Sequence, residues 1–130
     1  MFRNTYLTAA AIIFALAAPS AFAQTAAAEK SVATIVVIKT PAGITRPALE
    51  AGFKQALPVY EKIPGLLRKF FIANEDSFGG MYLWKDRASA EAWYTAAWRA
   101  KAKATYGSEP QLTYFDSPMQ IGDKAEVVTE

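Results

Sequence analysis

The sequence contains no histidine and no cysteine in its 130 residues. Their absence removes the commonest protein ligands for zinc and other transition metals. It also excludes Ser-His-Asp and Cys-His catalytic groups, a histidine ligand to haem iron and any disulfide bond. Carboxylates alone can hold Ca²⁺ or Mg²⁺, but no acidic cluster has the spacing of an EF-hand loop. We therefore expect a protein that uses neither a metal ion nor another cofactor.

A large excess of charge of one sign is also missing. The formal net charge is +2, and Arg3 is the only charged residue before Gln24. Removal of the segment before Gln24 would lower the net charge by one. Such a balanced chain gives no electrostatic reason to expect a nucleic acid as a partner.

The first 23 residues have the layout of a secretory signal peptide. Arg3 forms a short positive region, residues 6–18 are apolar, and Ala21-Phe22-Ala23 fits the small-residue pattern of a cleavage site. The apolar stretch is shorter than the roughly 20 residues of a membrane-spanning helix. We therefore predict cleavage after Ala23, a periplasmic or secreted protein, and no stable membrane anchor after cleavage.

The chain that follows is long enough for one domain. Residues 24–31 are small and polar, which is typical of a flexible leader. Residues 32–116 are predicted to form the domain. Residues 117–130 are predicted to be a C-terminal tail, in which Ala125–Thr129 is a candidate edge strand.

The hydrophobic pattern predicts four strands and two helices. The predicted strands are Val32–Lys39, Leu66–Asn74, Gly80–Lys85 and Gln111–Asp116. Thr45 is a good N-cap for a first helix, in which Pro58 predicts a kink or a break near Leu57. Asp86 is a good N-cap for a second helix over Arg87–Tyr106, which Gly107 would end.

Each predicted helix has an apolar stripe at helical spacing, which marks the side expected to face the sheet. In the first helix the stripe is Leu49, Phe53, Ala56, Leu57 and Tyr60. In the second helix it is Trp93, Ala96, Ala97, Ala100 and Ala104.

The predicted order β-α-β-β-α-β defines an α+β, ferredoxin-like protomer with two helices on one face of an antiparallel sheet. Strand one and strand two are apolar on both alternating faces, and two helices can cover only one of them. By simple alternation, strand two places Leu66, Phe70 and Ile72 on one face and Leu67, Phe71 and Ala73 on the other. We therefore expect a homodimer that packs sheet against sheet, a dimeric α/β barrel.

Two stretches, "IPGLLRKFF" and "GGMYLWKDRASAEAWY", resemble the dimeric α/β-barrel proteins of the antibiotic-biosynthesis-monooxygenase type, and among them the YdhR-like mono-oxygenase branch. The matching pieces are Pro64–Leu67, Gly79–Leu83, the helix cap Asp86 and the Ser89-Ala90 pair, followed by an aromatic residue at Trp93 or Tyr94. The resemblance spans residues 32–115. The export signal and the long tail are departures from that branch.

The resemblance implies a sheet-to-sheet dimer with a pocket in each protomer between the sheet and the helices. Some relatives oxygenate polycyclic phenolic substrates without metal or flavin, whereas relatives that degrade haem use a histidine that this chain lacks. An electron-rich carbanion or phenolate can pass one electron to O₂, so the protein needs a dry pocket, a group that favours the anion and a donor near the oxygen.

Six residues are candidates for the substrate pocket, and they are Arg68, Phe71, Tyr82, Trp84, Tyr94 and Trp98. Aromatic residues dominate cores and interfaces as well, so Phe71, Tyr82 and Trp84 also fit a core or dimer contact. Tyr94 and Trp98 lie off the alanine stripe of the second helix, and either a pocket or a partner fits them. Arg68 would stabilise an anion if it points inward, and otherwise forms a surface charge.

The sequence is compatible with two functions. One is an exported, cofactor-independent monooxygenase acting on a small aromatic molecule, and the other is a non-catalytic exported dimer that binds a small hydrophobic or aromatic ligand. The RNA-recognition module has the same element order, but "FGGMYLW" fits its strand-three signature poorly. We therefore expect no nucleic-acid partner.

Overall fold

The computed structural model describes residues 30–122. The predicted signal peptide, most of the leader and the candidate edge strand Ala125–Thr129 lie outside the described residues. The described part contains four strands and three helices. They are β1 (Val32–Lys39), α1 (Arg46–Tyr60), β2 (Leu66–Ala73), β3 (Ser77–Trp84), α2 (Arg87–Trp93), α3 (Ala96–Tyr106) and β4 (Gln111–Asp116).

The four strands form one antiparallel sheet in the order β2-β3-β1-β4. This is the order that a ferredoxin-like chain produces, because the two outer strands flank the central pair β1 and β3. The structure confirms the predicted α+β, ferredoxin-like protomer. The helices pack on one face of the sheet, and the core lies between them.

Strict alternation along β1 and β3 builds the floor of that core. Val32, Thr34, Val36 and Ile38 are buried, while the residues between them are more exposed. In β3 the buried positions are Phe78, Gly80, Tyr82 and Trp84, and each pairs with a buried residue of β1. The alternation along β1 and β3 therefore determines which side chains face the helices.

Strand β2 does not follow simple alternation, which corrects the faces predicted for it. An irregularity between Leu66 and Arg68 shifts the register, so Leu66 pairs with Trp84 and Arg68 pairs with Leu83. A bulge adds one residue to one strand and reverses the parity beyond it. Leu66 therefore packs against the core, although alternation placed it with Phe70 on the opposite face.

Strand β3 begins at Ser77, three residues earlier than the sequence indicated, and ends at Trp84. The turn is correspondingly tighter than predicted. The side-chain oxygen of Asn74 accepts hydrogen bonds from the backbone N–H groups of Asp76 and Ser77, at 3.1 and 2.7 Å. Asn favours this local turn, which lets pairing resume at once.

The predicted single helix over Arg87–Tyr106 is wrong, because two helices occupy that segment. Tyr94 ends α2 with φ −83° and ψ 62°, and Thr95 starts α3 as an extended N-cap. The Thr95 hydroxyl accepts a hydrogen bond from the backbone N–H of Trp98 at 3.1 Å. A capping hydroxyl of this kind satisfies an otherwise free donor and favours a new helix start.

The break also overturns the alanine stripe. Ala96, Ala97, Ala100 and Ala104 are exposed, whereas Ala90 and Ala102 are buried. A break resets the phase of the helical repeat, so a stripe counted from Trp93 no longer faces the sheet beyond it.

Helix α1 continues past Leu57 and Pro58 to Tyr60, so the predicted break does not occur. Pro58 lies in the last turn, where its missing N–H leaves only one carbonyl without a partner before the helix ends. Four residues of the predicted stripe, Leu49, Phe53, Ala56 and Tyr60, are partly buried toward the sheet. Leu57 is 44% exposed and faces away.

The face of the sheet opposite the helices is apolar and open within residues 30–122. Leu67, Phe70, Met81 and Phe115 are between 44% and 56% exposed there. Tail residues 120–122 line a shallow groove on this face. Within the same range, no helix combines the length and hydropathy needed to cross a membrane.

Candidate functional site

A cavity of about 650 Å³ lies between the sheet, α1 and α3. Its walls are mostly aromatic and aliphatic, as is typical of small-molecule sites. Eight aromatic residues line it, and they are Phe53, Tyr60, Phe71, Phe78, Tyr82, Trp93, Trp98 and Tyr106.

The aromatic rings pack against each other and define the wall next to β2. The ring of Phe71 lies 4.9 Å from that of Phe53 and 5.5 Å from that of Tyr60. Tyr60 in turn lies 5.9 Å from Trp93 of α2. Tilted and edge-to-face arrangements at these distances are favourable, so the wall joins α1, α2 and β2 through rigid side chains.

One amine projects into this aromatic wall. The Nζ atom of Lys69 lies 3.0 Å from the ring centroid of Tyr60, 4.1 Å from that of Phe71 and 4.5 Å from that of Tyr82. None of the ion pairs among residues 30–122 involves Lys69. The amine is thus surrounded by ring faces and has no carboxylate beside it.

Burial lowers the pKa of Lys69 to about 6. An ammonium loses hydration when it is buried, so the neutral amine becomes the favoured form. Ring faces attract a cation and oppose part of this effect, but they supply less than a carboxylate would. At neutral pH the cavity therefore holds a free amine with a lone pair.

Gly80 makes room for this amine. A Cβ atom added at Gly80 would lie 2.7 Å from the ring of Tyr82 and 3.0 Å from Cε of Lys69. Any other residue at this position would push against a ring that is itself packed on Trp84. The Tyr82 ring and the Lys69 side chain can therefore take these positions only because residue 80 is glycine.

Two tyrosine hydroxyls lie next to Lys69 and stay protonated. The rings of Tyr60 and Tyr82 both lie against Nζ of Lys69. Burial is the largest cause that raises the pKa of both hydroxyls. Both groups are therefore proton donors at neutral pH, beside an amine that is a proton acceptor.

A buried polar cluster of Thr34, Trp84 and Tyr94 fixes the site from behind. The Thr34 hydroxyl accepts a hydrogen bond from Nε1 of Trp84 at 3.0 Å and shares another with the Tyr94 hydroxyl at 2.8 Å. Thr34 and Trp84 are fully buried. Burial also raises the pKa of Tyr94. A satisfied buried cluster of this kind holds its members in one arrangement.

The six predicted pocket residues fall into three groups. Phe71, Tyr82 and Trp98 line the cavity. Trp84 and Tyr94 are packed behind its wall in the cluster with Thr34. Arg68 lines the groove on the opposite face of the sheet and does not contribute to this cavity.

Lys69 is the residue of the site that the sequence analysis missed. The signal was present, because Arg68 and Lys69 are adjacent in a strand that is otherwise apolar on both faces. Neighbouring strand residues point to opposite faces, so one of the two charges had to face the helices. The bulge near Leu67 does not affect this argument, since it precedes both residues.

Trp93 also lines the cavity. Its Nε1 atom is buried and has no hydrogen-bond partner among the described residues. Buried donors are nearly always satisfied, so this indole N–H is an exception, and it has almost no accessible surface toward the cavity. Besides Lys69, one more residue of a charged type lines the cavity, namely Lys101, whose side chain lies at the exposed rim.

The donor set does not fit a metal. The residues that line the cavity include no Asp or Glu. Within residues 30–122, no group of three or more acidic residues could hold an ion. The arrangement instead combines an apolar volume with a neutral amine and two phenolic hydroxyls.

The chain thus has a ferredoxin-like fold with an aromatic cavity between sheet and helices. No protein-family model matches the sequence, and no curated protein matches it either. The fold itself is shared with solved structures, among them proteins of the antibiotic-biosynthesis-monooxygenase type. The YdhR-like branch named from the sequence stays a prediction.

Three of these structures illustrate the likeness. A protein of unknown function from Nitrosomonas europaea, NE2512, is 20% identical, with 76% of this chain and 97% of that chain covered and a TM-score of 0.55. A candidate antibiotic biosynthesis monooxygenase from Bordetella bronchiseptica is 17% identical, with 68% and 98% covered and a TM-score of 0.52. SnoaB, a cofactor-independent oxygenase from Streptomyces nogalater, is 18% identical, with 72% and 99% covered and a TM-score of 0.51. At these identities the likeness shows the fold alone.

Proposed function

We propose that this protein binds a small aromatic molecule in the cavity between sheet and helices and supports its cofactor-independent oxygenation. The observation that carries the proposal is the neutral amine of Lys69 within an aromatic cavity. A cofactor-independent oxygenase of the same fold, SnoaB, makes the chemistry a natural candidate. The fold does not by itself fix the function, so the argument rests on the site.

The residues supply the three requirements of such a reaction. Lys69 accepts a proton from an acidic C–H group of the substrate, and the resulting ammonium stabilises the carbanion. The carbanion passes one electron to O₂, and the radical pair forms a C–O bond. The peroxide takes the proton back from Lys69 and loses water to leave a ketone, so one CH₂ group and one O₂ give one C=O group and one H₂O.

The hydroxyls of Tyr60 and Tyr82 are the donors for developing negative charge on oxygen. Their hydrogen atoms are in place before the reaction, which is what makes such donors effective in a dry site. The aromatic walls exclude water and bind the flat substrate.

The test is oxygen uptake with a dihydroxyanthrone in metal-free buffer. We expect uptake by the wild-type protein and a loss of at least tenfold in Lys69→Met, which keeps an unbranched apolar side chain. Lys54→Met, at an exposed position of α1 outside the cavity, is the matched control and should match the wild type. No uptake above the protein-free rate would contradict the catalytic part.

The second candidate is a non-catalytic binding protein. It is favoured by the absence of any carboxylate among the cavity-lining residues, which leaves no acid–base pair of the usual kind. Quenching of tryptophan fluorescence by an anthrone or naphthol, without oxygen uptake, would support this candidate instead.

We also propose that the protein is exported and dimeric. The signal-like pattern of residues 1–23 supports export, and the open apolar face of the sheet supports association with a second copy. Amino-terminal sequencing of the secreted or periplasmic protein should begin at Gln24. A chain that retains residues 1–23 would contradict the proposed cleavage.

A further inference from the structure

We propose that Lys69 captures small aromatic aldehydes covalently, by forming a reversible imine in the cavity. This activity needs no oxygen and differs from the proposed oxygenation. It shares with that proposal the premises that the cavity holds an aromatic molecule and that Lys69 is a neutral amine.

The position of the amine is the first argument. Nζ of Lys69 lines the cavity and is enclosed by the rings of Tyr60, Phe71 and Tyr82. An aldehyde held by the remaining aromatic walls of the cavity would bring its carbonyl carbon beside the amine. Holding two reactants in this way replaces a bimolecular encounter and is worth several orders of magnitude in rate.

The state of the amine is the second argument. An imine forms only when the nitrogen lone pair is free, and desolvation in an apolar pocket is a known route to a reactive lysine. No carboxylate lines the cavity to hold the ammonium form. The other titratable or charged groups that line it are Tyr60 from α1, Tyr82 from β3, and Lys101 and Tyr106 from α3, and none of them carries a negative charge at neutral pH.

The neighbouring hydroxyls complete the reaction. The amine attacks the carbonyl carbon, a C–N bond forms, and the nitrogen proton moves to the carbonyl oxygen to give a carbinolamine. The hydroxyl leaves as water after it receives a proton from the Tyr60–Tyr82 pair, whose members burial keeps protonated. Loss of the second nitrogen proton to that pair restores it and leaves a neutral C=N bond.

The shape of the cavity sets the class of aldehyde. The volume of about 650 Å³ is large enough for a molecule of one to three fused rings, and its walls offer ring faces rather than charges. Aromatic aldehydes also carry no hydrogen on the carbon next to the carbonyl, so the imine cannot rearrange to an enamine. We therefore assign the site to benzaldehyde- and naphthaldehyde-like compounds.

The experiment is reductive trapping of the full-length protein with 2-naphthaldehyde and cyanoborohydride, followed by intact mass and peptide mapping. We expect a single naphthylmethyl group at Lys69. The trapping rate should rise through pH about 6, whereas exposed lysines should react fully only near pH ~10. Lys69→Arg should abolish the fast adduct, and the exposed control Lys54→Arg should retain it.

Several results would overturn the inference. These are labelling spread evenly over the lysines, labelling of Lys69 only at high pH, or unchanged labelling in Lys69→Arg. If the arginine variant does not fold, the wild-type map and its pH profile decide alone. Quenching of tryptophan fluorescence by 2-naphthaldehyde without a trapped adduct would refute the imine and still leave the proposed binding function standing.

Discussion

At the scale of single residues, Lys69 should link the stability of the protein to pH. Its pKa is about 6 when folded and returns to ~10.4 when unfolded, so between these values the unfolded chain binds one more proton. The free energy of unfolding should therefore rise with pH between pH about 6 and ~10, by at most ~1.4 kcal/mol per unit, and be insensitive to this group below that range. Urea unfolding at several pH values measures it.

Lys69→Met should remove this slope. It should also make the protein more stable at pH ~7, because methionine has no ammonium group that must lose its proton and its hydration on folding. Lys54→Met should keep the wild-type slope. Parallel pH profiles for the wild type and Lys69→Met would show that the amine is not desolvated.

A second residue-scale prediction concerns glycine. Gly80→Ala should destabilise the fold by about 1–3 kcal/mol, because the new methyl group meets the packed ring of Tyr82 and the Lys69 side chain. Gly52→Ala is the control, since a Cβ there meets nothing within 4 Å and the site lies inside α1. That control should stabilise by about 0.5–1 kcal/mol in urea unfolding. Equal effects of the two changes would contradict the packing argument.

At the scale of elements, the break between α2 and α3 is the feature that positions the aromatic residues Tyr94 and Trp98. Their rings lie 4.9 Å apart, although they belong to different sides of the break. Tyr94 turns toward Thr34, while Trp98 reaches the cavity. In one continuous helix these two side chains would lie one turn apart on the same face. They could not then separate, with Tyr94 directed toward Thr34 and Trp98 toward the cavity.

The capping hydroxyl of Thr95 should therefore matter for binding as well as stability. We expect Thr95→Ala to lower the free energy of unfolding by about 1 kcal/mol, because the first turn of α3 loses its capping hydrogen bond. It should also weaken binding of an aromatic ligand, because Trp98 is then no longer held in one position. Thr45→Ala, which removes the longer capping bond of α1 at 3.4 Å, is the comparison and should leave binding less affected. Urea unfolding and fluorescence titration measure the two effects.

The sequence predicted most elements because their signals are local. Alternation identified β1 and β4 with their bounds, and capping residues located the starts of α1 and α2. The break at Tyr94 was missed because its driving force is tertiary, namely burial of the Tyr94 ring against Thr34 and Trp84. The bulge in β2 was missed because it reverses parity without leaving a composition signal.

The candidate site was only partly predictable for the same reason. Phe71, Tyr82 and Trp98 carry an aromatic signal that sequence reasoning uses, and they line the cavity. Lys69 carries a signal of charge, which normally indicates a solvated position. Its burial depends on the space that Gly80 leaves across the strand pair, and that pairing appears only in the folded sheet.

At the scale of the whole molecule, the open sheet face should control association. We expect Phe70→Glu to convert the proposed dimer into a monomer, because a charge would replace a ring that is 55% exposed on the open apolar face of the sheet. Leu57→Glu, on the outer side of α1, is the matched control and should leave association unchanged. Sedimentation velocity at micromolar concentration distinguishes the outcomes, and a wild-type protein that is only monomeric would contradict the proposed dimer.

The Gly79-Gly80 pair has a consequence for how the two faces communicate. At Gly79 and Gly80, β3 places no side chain on either face of the sheet. Only the backbone of the sheet, a thin partition, separates the cavity from the open face there. Gly79 lies so close to the β1 backbone at Val36 that no side chain fits there. If the proposed second copy packs on the open face, any displacement of this thin partition by a ligand would be transmitted to it directly, without an intervening chain of side-chain contacts.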